Sequence, residues 1–196
     1  MAADARPADA RSAAVHAVEI RPSADADLDA IAAIYAHHVR HGSGSFEIEP
    51  PPPAEMARRR AEGLAGGWPH LVACRDGAVL GFAYANVYRP RPAYRYTAED
   101  SIYLRPDAIG AGVGRALLGA LIAACERRGA RQMIAVIGDS ANVASIALHA
   151  AMGFRFAGTL RASGRKFDRW VDTVLMQRAL GDGDASAPPA SPPVTR

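Results

Sequence analysis

Ser101-Ile102-Tyr103-Leu104-Arg105-Pro106-Asp107-Ala108-Ile109-Gly110-Ala111-Gly112-Val113-Gly114-Arg115-Ala116-Leu117-Leu118 is the stretch that decides how this chain is read. A strand-type alternation passes through a Pro-containing link and a glycine-studded turn into a helix-type apolar spacing. Gly110, Gly112 and Gly114, at alternate positions, let the backbone come close to an anion. The helix that begins near Gly112 leaves its first N–H groups unpaired and turns its positive dipole end toward the loop. The stretch reads as a phosphate cradle. Taken alone, the glycines also fit an ordinary strand-to-helix turn.

Spacing separates the known glycine loops. A Walker loop ends in Gly-Lys-Ser/Thr, but here Gly114 is followed by Arg115-Ala116. A dinucleotide-binding turn needs Gly-x-Gly-x-x-Gly and an acidic residue about twenty positions on. The interval in this chain is Gly-x-Gly-x-Gly. The pattern that fits is Gln/Arg-x-x-Gly-x-Gly/Ala after a strand and a short Pro link, and in this the chain resembles the GNAT superfamily of acyl-CoA N-acyltransferases. Gly112 and Gly114 match the last two glycines, and Ile109 stands where the family usually has Gln or Arg. The resemblance implies that Tyr103, Leu104, Ile109, Gly110, Ala111, Gly112, Val113, Gly114 and Arg115 hold acetyl-CoA, with its pyrophosphate on the backbone amides.

The 196-residue chain has the size of a single domain with one core. Its net charge is +3. The basic residues are spread out except at Arg58-Arg59-Arg60 and Arg127-Arg128, which look like solvated helix faces, so no nucleic acid is expected as a partner. Cys74 and Cys125 lie apart in apolar surroundings without metal spacing, which suits reduced core residues of a cytoplasmic protein. No apolar run is long enough to span a bilayer, and no membrane is expected as a partner.

Composition assigns residues 1–16 and the Pro- and Ala-rich residues 181–196 to disordered segments around a folded unit of residues 17–180. The unit opens with a strand at 17–21 and a helix bearing Leu28, Ile31, Ile34, Tyr35 and Val39 at helical spacing. A Gly-, Ser- and Pro-rich loop holding Phe46 leads to a second helix at 54–64. Strands at 70–75 and 79–88 are joined by an Asp76-Gly77 turn. Then come a strand at 97–104, the glycine loop and its helix ended at Gly129, a strand at 132–137, a helix at 142–152, and strands at 154–160 and 170–178. The order β-α-α-β-β-β-α-β-α-β-β predicts an α/β (α+β) fold: a mixed, mostly antiparallel sheet of about six to seven strands with helices on both faces. It matches the GNAT fold along the folded unit.

Asn142, Ser145 and His149 stand at offsets of three and seven, which at about 100° per residue forms one polar helix stripe. Such a stripe needs a partner, although an N-cap Asn, a solvated Ser and a core His also fit it. The run Asn-x-x-Ser-x-x-Leu-His before Ala-x-Met-Gly-Phe looks like the second CoA-contacting element of GNAT enzymes. That likeness implies that Asn142 and Ser145 bind the cofactor arm and that His149 takes the place of a Tyr general acid.

A lone strand carboxylate such as Glu99 is most often a cross-strand partner. Here, however, Tyr94-Arg95-Tyr96-Thr97-Ala98-Glu99-Asp100-Ser101-Ile102-Tyr103 resembles the segment of phosphinothricin N-acetyltransferases that holds their catalytic glutamate. Arg89-x-Arg91-x-x-Tyr94, Ala135-Val136-Ile137-Gly138 and Phe46 resemble the same family, whereas Trp170-Val171-Asp172 departs from its Trp-His-Asp run. The resemblance implies Glu99 as base, a backbone N–H near Tyr103 and Leu104 for the oxyanion, and a homodimer. It also implies an acceptor that is a small amino-acid analogue held by Phe46, Arg89, Arg91, Tyr94, Val136 and Ile137. Arg89 and Arg91 suit an acidic acceptor, since a guanidinium pairs bidentately with carboxylate or phosphinate. Polyamine, aminoglycoside and protein N-terminal acceptors, or a non-catalytic acyl-CoA-binding module, are the alternatives. No metal cluster is expected.

Overall fold

The structure, a computed structural model, describes residues 17–188. The expected N-terminal segment 1–16 and the last part of the expected tail, 189–196, lie outside the described residues. In chain order the elements are β1 (Glu19–Pro22), α1 (Leu28–His41), α2 (Pro53–Ala65), β2 (His70–Arg75), β3 (Ala78–Val87), β4 (Thr97–Leu104), α3 (Val113–Arg127), β5 (Gln132–Gly138), α4 (Val143–Ala151), β6 (Arg155–Lys166) and β7 (Arg169–Ala179). Residues 181–188, which composition placed in the tail, include turns, and Arg131 donates to Ser186 and Ala187.

The seven strands form one sheet in the order β1-β2-β3-β4-β5-β7-β6. Only β4 and β5 run parallel, and α3 is the crossover that such a pair requires. On one face α1 and α2 bury Ile31, Ile34, Tyr35, Val39 and Met56 against Val72, Cys74 and Phe82. On the other, α3 brings Val113, Leu117, Leu118, Leu121, Ile122 and Cys125 against Ala98, Met133 and Ala135, as their helical spacing predicts. The alternation of β4 holds as well: Tyr103 packs on the α1 side, and Ala98, Ile102 and Leu104 on the α3 side.

Turn chemistry sets the strand ends. Asp76 and Gly77 both take positive φ (51° and 77°), the hairpin geometry that Asp-Gly favours. Gly129 and Gly153 stop α3 and α4 at φ 91° and 85°. The last hairpin is longer than its sequence suggests. Expected at 154–160 and 170–178, its strands run to Lys166 and from Arg169, with register shifts at Phe156/Gly158 and Leu160/Gly164. Its turn is Phe167-Asp168, both at positive φ (51° and 57°), a conformation that Phe rarely signals.

Candidate active site

The β4–β5 pairing runs from Thr97↔Gln132 to Asp100↔Ala135 and ends there. Beyond it the strands part, and a cleft of about 730 Å³ opens between Ser101–Leu104, Val136–Gly138, the start of α3 and one face of α4. The volume is in the range of about 300–1,000 Å³ usual for ligand sites. Arg105 N–H donates to Leu80 O toward β3, so strand alternation turns the Leu104 N–H and C=O the other way, toward the cleft. Of Tyr103 and Leu104, near which an oxyanion donor is expected, Leu104 is the one whose N–H is turned toward the cleft.

The glycine loop forms the mouth of the cleft. Gly110 and Gly112 take φ 83° and 78°, and Gly112 is the N-cap of α3. No side chain caps this helix, so the first amides, those of Val113, Gly114 and Arg115, are its unpaired donors. Gly114 lines the cleft and has a packing task as well. A Cβ there would sit 3.3 Å from both Leu104 Cδ1 and Leu148 Cδ2, so this glycine lets α3 pack closely. The Val113 side chain is 1% exposed in the core, which leaves its backbone amide as the group it can offer to the loop. Ile109 and Arg115 line the cleft, and Ala111 does not.

Asn142 caps α4, its Oδ1 accepting from the Ser145 N–H at 3.3 Å, and both residues line the cleft. His149, one turn on, is 2% exposed. Its Nδ1 lies 2.7 Å from the Ser145 carbonyl oxygen and its Nε2 3.0 Å from Asp100 Oδ2. Burial opposes charge on this ring, but the Asp100 carboxylate and the Ser145 carbonyl outweigh it and hold its pKa above the ordinary value. Asp100 is the partner that the helix stripe required. Its signal in the sequence was a carboxylate on the apolar face of β4.

Glu99, the next residue back, points to the opposite face of the sheet. Burial pushes its carboxyl above the ordinary range, the charge of Arg89 pulls it back, and that of Asp100 adds to the rise. Glu99 is thus on the face opposite the Asp100–His149 pair and, unlike them, is not part of the cleft wall. Val136 lines the cleft, 37% exposed, and Ile137 lines it too although it is buried in the core at 5%.

The other expected acceptor residues lie off the cleft wall. Arg89 is exposed over the Tyr88 ring (4.9 Å), Arg91 is exposed beside it, and Tyr94 packs edge-on to Tyr88 at 5.7 Å. Phe46 is wedged between Gly138 and Gly164, where any Cβ would collide with its ring. Ser43 and Gly44, just before it, do line the cleft. Lys166 Nζ fixes this loop by donating to the carbonyls of Gly42 (2.8 Å) and Ser45 (2.7 Å), and Ser43 donates to Asp139 at 3.1 Å. Sequence reasoning missed His38, Ser43 and Asp139 because each matters only through contacts with distant strands.

Cys74 and Cys125 are buried free thiols, and burial pushes Cys125 up to about 12. Among the described residues no group of three or more His, Cys, Asp or Glu is placed to hold a metal ion, and no helix is long and apolar enough to cross a membrane.

A sheet parted beside a glycine-capped helix start, with an inward backbone N–H at the split, is the architecture of an acyl-CoA-dependent transferase. The chain belongs to the acetyltransferase (GNAT) family, whose sequence profile matches residues 31–154. It is 59% identical over 172 residues to the phosphinothricin N-acetyltransferase of Alcaligenes faecalis, covering 88% of this chain and 87% of that one. It is 39% identical to the L-methionine sulfoximine/L-methionine sulfone acetyltransferase of Pseudomonas aeruginosa, covering 86% and 98% of the two chains. Among solved structures, a GNAT superfamily phosphinothricin acetyltransferase from Sinorhizobium meliloti in complex with acetyl-CoA superposes with a TM-score of 0.87. That pair shares 46% identity, covering 89% of this chain and 95% of that one.

Proposed function

We propose that this chain transfers the acetyl group of acetyl-CoA directly to the α-amino group of a small amino-acid analogue of the phosphinothricin or methionine sulfoximine/sulfone type. The observation that carries the proposal is the split after Asp100↔Ala135, which opens a cleft lined by Asp100–Leu104, the glycine cradle and α4, one residue beyond Glu99 on β4. An ammonium group with a pKa of about 8 must lose a proton before it attacks a thioester. Glu99, its basicity raised by burial, takes that proton. The Leu104 N–H meets the oxygen on which negative charge develops. His149 supplies the proton for the departing thiolate. The amides at the start of α3 fit a pyrophosphate, and Asn142 and Ser145 fit the pantetheine arm.

Arg89 and Arg91 stand on a turn stiffened by Pro90 and Pro92, Arg89 close enough for its charge to act on Glu99, and hold the acceptor's anionic groups. Phe46, Tyr94, Val136 and the backbone at Ile137 bound its aliphatic part. The two cysteines are too buried to form an acyl-enzyme, which favours direct transfer, and their reduced state suits a cytoplasmic protein. The edge hairpin exposes Phe156 (65%), Leu160 (53%) and Trp170 (66%), a surface suited to a homodimer.

The test is thiol release from acetyl-CoA against a panel of free amino acids, sulfoximines, sulfones, phosphinates and polyamines. Phosphinothricin or methionine sulfoximine is expected to give the highest kcat/KM. A preference for polyamines over every amino-acid analogue would displace this acceptor.

A further inference from the structure

Ser145 O can only accept, so the His149 Nδ1 at 2.7 Å carries a hydrogen. The other ring nitrogen faces Asp100 Oδ2 at 3.0 Å, where a neutral ring and an ionised carboxylate would oppose two lone pairs. One proton must therefore lie on this contact. The side chains are 2% and 1% exposed, so both groups are desolvated to a similar degree. Burial disfavours the charged ring, but the Asp100 carboxylate and the Ser145 carbonyl outweigh it and place the proton on the imidazole. Facing this pair are Cys125 from α3, kept neutral by burial, Glu99 across the sheet, and the edge of Phe154 at 5.0 Å.

Asp100 Oδ1 is buried without a hydrogen-bond partner. A structural carboxylate would use both oxygens; this one uses a single oxygen, and on the imidazole. It is also the last β4 residue paired with β5, which places the pair where the strands part and the cleft begins.

We propose that Asp100 is a positioning residue that holds His149 as an imidazolium, so that each turnover begins with the proton the CoA thiolate takes up. The inference rests on the assignment of His149 as proton donor. As the C–S bond breaks, sulfur keeps the electron pair and takes a proton from the Ser145 hydroxyl, which lines the cleft 3.4 Å from His149 Nδ1, and the imidazolium replaces that proton from Nδ1. The ring is left neutral, with Nε2–H still bonded to Asp100 Oδ2. Of the two protons that the amine nitrogen loses overall, one is released and one is matched by the proton that returns to Nδ1. The lone pair facing the Ser145 carbonyl oxygen drives that return.

The test uses the full chain. Asp100→Asn keeps the shape and a polar contact to the ring but removes the carboxylate charge. We expect its turnover at pH 8 to fall about 10- to 100-fold, the basic limb of kcat to move down by about one pH unit, and KM for acetyl-CoA to stay within about threefold. Nitrogen-15 NMR of the wild type at pH 7.5, with the signal assigned by its loss in His149→Phe, is expected to show both ring nitrogens protonated. In Asp100→Asn the ring is expected to be neutral. A neutral His149 in the wild type, or a normal pH profile in Asp100→Asn while His149→Phe is slow, overturns the inference. Wild-type turnover in His149→Phe instead removes the proton-donor assignment itself, and the inference with it.

Discussion

His38 Nε2 donates to the carbonyl oxygen of Leu104 at 2.7 Å, along the edge of β4 that faces the cleft. The carbonyl only accepts, so the hydrogen is on Nε2, and burial lowers the ring's pKa so that it stays neutral. The bond spans α1 and β4 and fixes the peptide plane next to the Leu104 N–H. Tyr35, Tyr103 and His38 form a ring cluster around it, with centroids 5.0 and 5.4 Å apart.

Replacing His38 with Phe keeps the ring packing and removes the donor. Turnover is expected to fall about tenfold, less than the 10²–10³ cost of deleting an oxyanion donor outright. His38→Gln, which restores an N–H, is expected to recover much of the loss. Steady-state kinetics with an unchanged kcat in the Phe variant would end this assignment.

Glu99→Gln keeps shape and loses basicity, so turnover is expected to drop about 10²–10⁴ with little change in acetyl-CoA binding. If Glu99 is the base it must be ionised, and because burial raises its pKa the wild-type acid limb of kcat/KM is expected above the ordinary carboxylate range. Arg89→Ala removes a charge that favours ionisation, so that limb moves further up. A pH profile that stays in place refutes the pairing.

Gly112 and Gly114 answer differently to the same change. Gly112→Val has open space around it but the wrong φ, so we expect a raised KM for acetyl-CoA with the fold kept. Gly114→Val drives into Leu104 and Leu148, and thermal stability should fall first, by about 1–3 kcal/mol. Equal effects on KM and stability in both variants would contradict this division of labour.

Gly164→Ala puts a methyl where the Phe46 ring sits. The loop from Gly42 to Phe46 is then displaced, so kcat/KM for the acceptor is expected to fall while KM for acetyl-CoA holds. Full activity with every acceptor would show that the wedge has no bearing on substrate.

His70 reports on stability. Stacked on Phe82 (5.8 Å) and Tyr84 (5.5 Å), with its Nδ1 buried and unpartnered, it has a pKa lowered from 6.5 to about 4, mainly by burial and then by the charge of Arg60. The unfolded chain binds this proton more readily, so stability is complete above about pH 6.5 and declines as pH falls toward 4. The loss is about 3 kcal/mol, taking about 1.4 kcal/mol per pH unit. Urea titrations of His70→Phe are expected to be flatter across this window, and an equal slope would refute the assignment.

Much of this was legible in sequence because local chemistry repeats itself. The Asp76-Gly77 hairpin, the glycine start of α3, the apolar spacing of α1 and α3 and the Asn142-Ser145-His149 stripe each carry their reason within a few residues. What stayed hidden depends on meetings between distant segments. Asp100 was visible as an oddity in β4, yet its partner is 49 positions away. The seat for Phe46 is built from Gly138 and Gly164, two glycines that no spacing rule connects. The Phe167-Asp168 turn lacks the glycine that marks Asp76-Gly77, and the β6–β7 hairpin that forces it into shape was itself underestimated.

The split that makes the cleft is also a mechanical fact. Strands β1 to β4 and strands β5 to β7 are two plates, each wound antiparallel, and in the sheet they are joined along a seam of four residue pairs, where β3–β4 and β5–β7 have seven each. Any molecule that touches Leu104 on one lip and α4 on the other acts as a staple across that seam. Hydrogen exchange at the amides of Thr97–Asp100 and Gln132–Ala135 is therefore a direct gauge of occupancy, readable even in a variant that no longer turns over.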